Sequence, residues 1–135
     1  MKALDYLYRY AEMKRTISSL VARIAIEEQI AWRHDEPELK KEALKMAEDL
    51  KKEAVKLKEE QEAMESTIWA MPADRARVLR LHYFNGESLR TIARNMNRKI
   101  EFVEGLHEEG MRNLQRILDM RENPKTEEAF ASKRK

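Results

Sequence analysis

The chain has 135 residues, of which 39% are charged and 42% hydrophobic, with only three glycines and three prolines, a composition that suits a helical domain with much solvated surface. The absence of cysteine excludes disulfides, thiol nucleophiles and cysteine-ligated metals, and a net charge of +2 says little about nucleic acid until its placement is known. No charge-free apolar run is long enough to span a bilayer, and Asp5 and Arg9 interrupt any signal-peptide core in MKALDYLYRY, so no membrane partner and a cytoplasmic location are expected.

From about Ala3 to Arg33 apolar residues recur at three- and four-residue steps. Leu7, Tyr10, Ile17, Val21, Ile24 and Ala31 form one stripe, interrupted by Lys14 and Glu28. The segment RHDEPELKK breaks the rhythm, and Pro37 begins a second helix. Its stripe is Ala43, Ala47, Leu50, Ala54, Leu57, Gln61, Met64 and Ile68, flanked by Lys and Glu on the exposed faces. Two striped helices joined by a short turn favour an antiparallel hairpin. An alanine-rich seam buries little area per turn. The hairpin is therefore expected to pair with a second copy of the chain or with the C-terminal part. Tyr6, Tyr8 and Tyr10 read as packing residues. Trp32 is expected to pack near the hairpin turn, and Trp69 to pin the hairpin to the C-terminal domain.

WAMPADR marks a boundary, with Pro72 at a first helical position and Asp74 in the positive first turn. Val78, Leu79 and Tyr83 form the buried face of that helix, and Asn85-Gly86 ends it. Ser88 caps a short helix, SLRTIARNM, whose inner face is Leu89, Ile92, Ala93 and Met96. Asn97 suits a left-handed turn, and a last helix runs from about Ile100 to Met120. Two helices joined by a tight turn and preceded by a third make a helix-turn-helix. Residues 122–135, ENPKTEEAFASKRK, lack a periodic face and read as a loose tail.

Four cations, Arg90, Arg94, Arg98 and Lys99, cluster around the turn with no acid among them. They suit phosphate contact, although charged helix faces are also the default for solvated surface. The last helix begins with acid: Glu101, Glu104, Glu108 and Glu109. Glu101 near a positive helix end is stabilising in its own right, and a carboxylate there can also accept from cytosine N4 in the major groove. Glu101, Gly105, Glu108 and Arg112 share an outward face, while Val103, Leu106, Gly110 and Leu114 share the inward one. His34, His82 and His107 have no metal-binding spacing, and neither a phosphate-binding glycine loop nor a nucleophile motif is present. No cofactor, no metal and no enzymatic activity are expected.

The stretch MPADRARVLRLHYFNGESLRTIARNMNRKIEFVEGLHEEGMRNLQRIL, from Met71 to Leu118, resembles region four of sigma-70-type factors. With ALDYLYRY near the start and the two long helices, the chain resembles phage-encoded transcriptional activators of the ArpU/RinA type. The resemblance spans most of the chain, and its motifs are most specific between Met71 and Leu118. No segment resembles the sigma region that melts promoters. The resemblance implies a three-helix DNA-binding domain that places its last helix in the major groove near a promoter while contacting host RNA polymerase. In that docking Ser88 and the clustered cations Arg90, Arg94, Arg98 and Lys99 are expected to hold the DNA backbone, and Glu101, Phe102 and Gly105 to face the bases. The chain departs from the family at Arg98, Lys99, Glu104, Gly105 and Glu109, which bears on base reading more than on the fold.

The expected protein is therefore all-α. A long, coiled-coil-like helical hairpin (1–70) precedes a helix-turn-helix domain (71–121) and a tail (122–135). The expected partners are double-stranded DNA, host RNA polymerase and, through the hairpin, a homodimer. The expected function is activation of phage or prophage late genes. In the alternative, the motif binds RNA polymerase or a sigma factor through its acidic helix without reading DNA.

Overall fold

The computed structural model describes residues 1–122, and every regular element among them is a helix. The protein is all-α over that range; the expected tail lies, from residue 123 on, outside the described residues. Five α-helices occur in chain order: α1 (Ala3–Arg33), α2 (Pro37–Trp69), α3 (Ala73–Leu79), α4 (Leu89–Met96) and α5 (Ile100–Glu122). A π-helical stretch, Arg80–Phe84, extends α3. None of the described helices is long and apolar enough to cross a membrane.

Packing divides the chain into two units. One is Tyr10–Glu65; the other joins Met1–Arg9 to the described residues from Ser66 on. The division cuts through α1 and α2 rather than falling at 70/71, because the first turns of α1 and the last turn of α2 pack with the C-terminal helices. Gln115 of α5 shows how. Its Oε1 accepts from the Ala3 backbone N–H at 2.8 Å, and its Nε2 donates to the Met1 carbonyl at 3.0 Å. The amide so satisfies one of the unpaired donors that open α1. Arg121 donates to the Thr67 hydroxyl at 2.7 Å and ties α5 to the end of α2.

In the first unit the Tyr10 hydroxyl donates to the Glu65 carboxylate at 2.6 Å, and Lys51 pairs with Glu28 at 2.6 Å. The first joins the start of α1 to the end of α2 and the second the end of α1 to the middle of α2, an antiparallel pairing. Tyr10, Met13, Leu20 and Ala31 of α1 and Ala43, Ala47, Leu50 and Met64 of α2 are buried. The α2 stripe is the one the spacing predicts. In α1 the seam runs through Met13 and Leu20 rather than Lys14 and Val21, and Val21 is exposed. Taking Met13 and Leu20 keeps the three-four rhythm from Tyr10 to Ala31 and leaves Lys14 in water. Trp32 does not pack near the turn: it is 86% exposed.

The second unit is built around Val78, Ile92, Ala93, Val103 and Leu106, bordered by Leu81, Leu89, Met96 and Ile100. Small Ala93 admits α5 close to α4. At Gly110 α5 meets α3, and a Cβ there would stand 3.1 Å from the Leu79 Cγ. Tyr83, expected in the buried face, is only half-buried, because the backbone widens over Arg80–Phe84. The Asn85 N–H reaches back to the Arg80 carbonyl at 3.1 Å and that of Glu87 to Leu81 at 3.0 Å. Each π-turn delays the next side chain, so Leu81 stays on the core while His82 and Tyr83 turn toward α5.

Candidate nucleic-acid interface

Gly86 at φ +73° ends the π-helical stretch, and Ser88 starts α4 in extended conformation, its hydroxyl accepting from the Thr91 N–H at 3.1 Å. This is the expected N-cap, and it leaves Ser88 exposed at the positive end of the helix. Burying Ile92 and Ala93 fixes the rotation of α4, so Arg90 and Arg94, four apart, are both exposed on its outer side.

The turn closes with two backbone bonds. Asn97 is left-handed at φ 55° and donates to the Arg94 carbonyl at 3.1 Å, and Arg98 donates to that of Ala93 at 2.9 Å. Both bonds fit a Schellman closure with asparagine in glycine's usual place. It positions Arg98 and Lys99, both exposed, directly ahead of α5. The Arg98 guanidinium lies over the Phe102 ring, 5.0 Å from its centroid. A residue expected on the DNA backbone thereby touches one expected to face the bases. Phe102 remains 45% exposed, which is unusual for an aromatic ring near a core.

Glu101 and Glu104 are exposed on α5 and form no ion pair among the described residues. Gly105 is half-buried, and a Cβ added to it would meet nothing within 4 Å. Glu108 approaches Arg112 at 4.0 Å, one turn on. Glu109 has a structural partner that spacing did not reveal: Arg75 of α3 donates to its Oε2 through both Nε and Nη2 at 2.6 Å. All eight predicted site residues fall on the α4–turn–α5 segment, and all but Gly105 are exposed.

A half-buried cluster joins the π-helical stretch to α5. The Tyr83 hydroxyl and His107 Nε2 are 2.7 Å apart, and the rings of His82 and His107 meet edge to face at 5.6 Å. Desolvation lowers the His107 pKa below its ordinary value of 6.5, neighbouring His82 lowers it further, and Glu108 opposes both. Desolvation, then the nearby Tyr8, raises that of Tyr83. His82 hydrogen-bonds the Glu87 carbonyl at 2.7 Å. The approach of His82 to His107 agrees with their placement on facing helices, but no group of three or more metal-ligating side chains forms among the described residues. A second unforeseen contact stacks the Arg80 guanidinium on Trp69, 4.1 Å from the ring centroid. Trp69 stays 53% exposed there.

No family model, curated protein or solved structure matches the chain.

Proposed function

We propose that the protein is a DNA-binding transcriptional regulator whose α3–α4–α5 segment acts as a helix-turn-helix of sigma region-four type, preceded by a helical hairpin. The observation that carries this reading is the composition and exposure of one surface. From Ser88 to Gly105 the chain presents four exposed cations against two unpaired carboxylates, around a tight turn that leads into a long helix. Phosphates would accept from Arg90, Arg94, Arg98 and Lys99 and from the Ser88 end of α4. Glu101 and Phe102 would face the bases, with Gly105 giving close approach. The resemblance to ArpU/RinA-type regulators extends the reading to activation of phage or prophage late genes together with host RNA polymerase.

Counterion release makes the reading measurable. Four phosphate contacts predict that log affinity falls by about 3.6 per decade of salt. Titration against DNA tiles flanking the gene, at low and physiological salt, should show tile-selective binding with that slope. Arg90→Glu with Arg94→Glu should abolish it without loss of helicity. Binding that survives the double reversal would remove the backbone assignment.

A second reading takes the unpaired Glu101 and Glu104 as a surface for a basic protein partner such as RNA polymerase or a sigma factor. It predicts no tile-selective binding, and a partner interaction lost in Glu101→Lys with Glu104→Lys.

A further inference from the structure

The Tyr10–Glu65 unit exposes several large apolar side chains on its α1 and α2 segments. Val21 (57%), Trp32 (86%), Leu44 (52%) and Val55 (56%) are all largely open. Helical geometry sorts these four onto one flank. Val21, Glu28 and Trp32 are seven and then four residues apart, which keeps them on one side of α1, and Leu44, Lys51 and Val55 repeat that spacing on α2. The Glu28–Lys51 ion pair joins the two sides into one face. Because the helices run antiparallel, Trp32 and Leu44 lie on the turn side of that ion pair, and Val21 with Val55 on the other. The face thus carries an apolar patch, an ion pair and a second apolar patch.

This order is self-complementary. A two-fold axis through the ion pair lays the Trp32–Leu44 patch of one copy on the Val21–Val55 patch of the other, and does so twice. Along α2, Leu44 then meets Val55 of the second copy, Glu48 meets Lys51, and Lys40 meets Glu59. Lys41 meets Lys58, an unfavourable pair whose long stems can turn to water. A face two helices wide and about 30 Å long has a flat footprint of roughly 600 Å². Corrugated side chains raise that toward the ~800 Å² per partner of a stable interface. The alanine-rich seam gives the unit reason to seek such burial, since Ala31, Ala43 and Ala47 supply little of it.

We propose that this flank is the docking surface for a second copy of the chain, forming an antiparallel four-helix bundle with the Glu28–Lys51 pairs at its two-fold axis. The interface stands independently of the DNA-binding reading. The opposite flank, with Ile26, Ile30, Leu39 and Met46, lacks a central ion pair and gives no such match.

The test is sedimentation equilibrium of the full-length chain and its variants, with helicity checked by circular dichroism. The wild type is expected at twice its 16.1 kDa chain mass at tens of micromolar. Leu44→Glu and Val55→Lys should each weaken the dimer ~100-fold, as about tenfold per contact made twice. Combined in one chain, the two should restore it, because each new glutamate faces a lysine of the other copy. Ile30→Glu should leave the dimer intact. A parallel arrangement would set like charges together and make the combined variant the weakest. That result, a wild type monomeric at hundreds of micromolar, or a dimer lost only in Ile30→Glu would overturn the proposal.

Discussion

Two glycines five residues apart on α5 should answer the same substitution with opposite signs. Glycine within a helix costs about 1 kcal/mol relative to alanine. At Gly105 a new methyl meets nothing within 4 Å, so Gly105→Ala should recover most of that. At Gly110 it would stand 3.1 Å from the Leu79 Cγ, 3.2 Å from its Cδ1 and 3.5 Å from the Arg75 Cβ. Cγ is a branch point of a fully buried side chain and cannot swing aside as a flexible tip does. Overpacking of this kind costs about 1–3 kcal/mol, which outweighs the gain in helix propensity. Gly110→Ala should be destabilised by up to about 2 kcal/mol. Urea unfolding followed by circular dichroism reads both values, and each kilocalorie moves the thermal midpoint by about 2–8 °C. A stabilised Gly110→Ala would show that α3 and α5 do not cross where the structure puts them. Gly105→Ala carries a second readout. If Gly105 lies against the groove floor, the more stable variant binds DNA less tightly; unchanged affinity would remove Gly105 from the interface.

Three further outcomes rest on single contacts. Gln115→Ala loses two backbone partners of the α1 start and should cost about 1–2 kcal/mol, while Gln115→Glu, which still accepts from the Ala3 N–H but cannot donate to the Met1 carbonyl, should restore only part of it; equal stability of Gln115→Ala and wild type would deny the clasp. Both Arg75 nitrogens converge on one Glu109 oxygen, but the pair is partly exposed, at 30% and 48%, so Glu109→Ala should cost under about 1 kcal/mol and leave any DNA affinity within twofold; a larger loss of affinity would place Glu109 on the binding face. Burial and then His82 lower the His107 pKa below its ordinary value, so the unfolded chain takes up its proton first as pH falls. Stability contributed by that neutral ring is complete above pH 6.5 and declines as pH falls below it toward the lowered folded value. His107→Gln should flatten the denaturation midpoint between pH 7.5 and 5.5, and an unaltered pH profile would reject His107 as its source.

The helices and their ends were legible where a local rule decides them. Ser88, Gly86 and Asn97 each act through their own backbone, so their roles at the start of α4 and in its flanking turns could be read from residue type and spacing. The α2 stripe was equally open, since its alanines and leucines leave one choice of seam. In α1 two adjacent registers were available, and the spacing alone preferred Val21 where packing takes Leu20. Trp32 was misplaced for a related reason: its size suggests burial, yet its position on the helix sets it on the flank. The π-helical stretch had no signal, because it depends on satisfying the carbonyls of Arg80 and Leu81 beyond the end of α3.

The acidity of α5 shows what a linear reading misses. As a string, residues 101–109 carry four carboxylates beside a turn with four cations, and the helix looks unfit for a polyanion. In three dimensions one of those carboxylates is held by a cation from another helix, Glu109 by Arg75, while Glu108 approaches the exposed Arg112 one turn on only at 4.0 Å. Arg75 lies 34 residues before Glu109, a pairing that no periodicity encodes. From Ser88 to Gly105 the exposed charge is four cations against Glu101 and Glu104, a positive balance. Glu101 sits in the first turn of α5, where the helix end offsets part of its charge. If the helix reads DNA, Glu101→Gln should alter base preference near cytosine more than it raises overall affinity. If the helix binds a basic protein, the same change should weaken that partner and leave DNA untouched. Selection of preferred sequences by wild type and Glu101→Gln separates the two. A logo unchanged at every position would remove Glu101 from base reading.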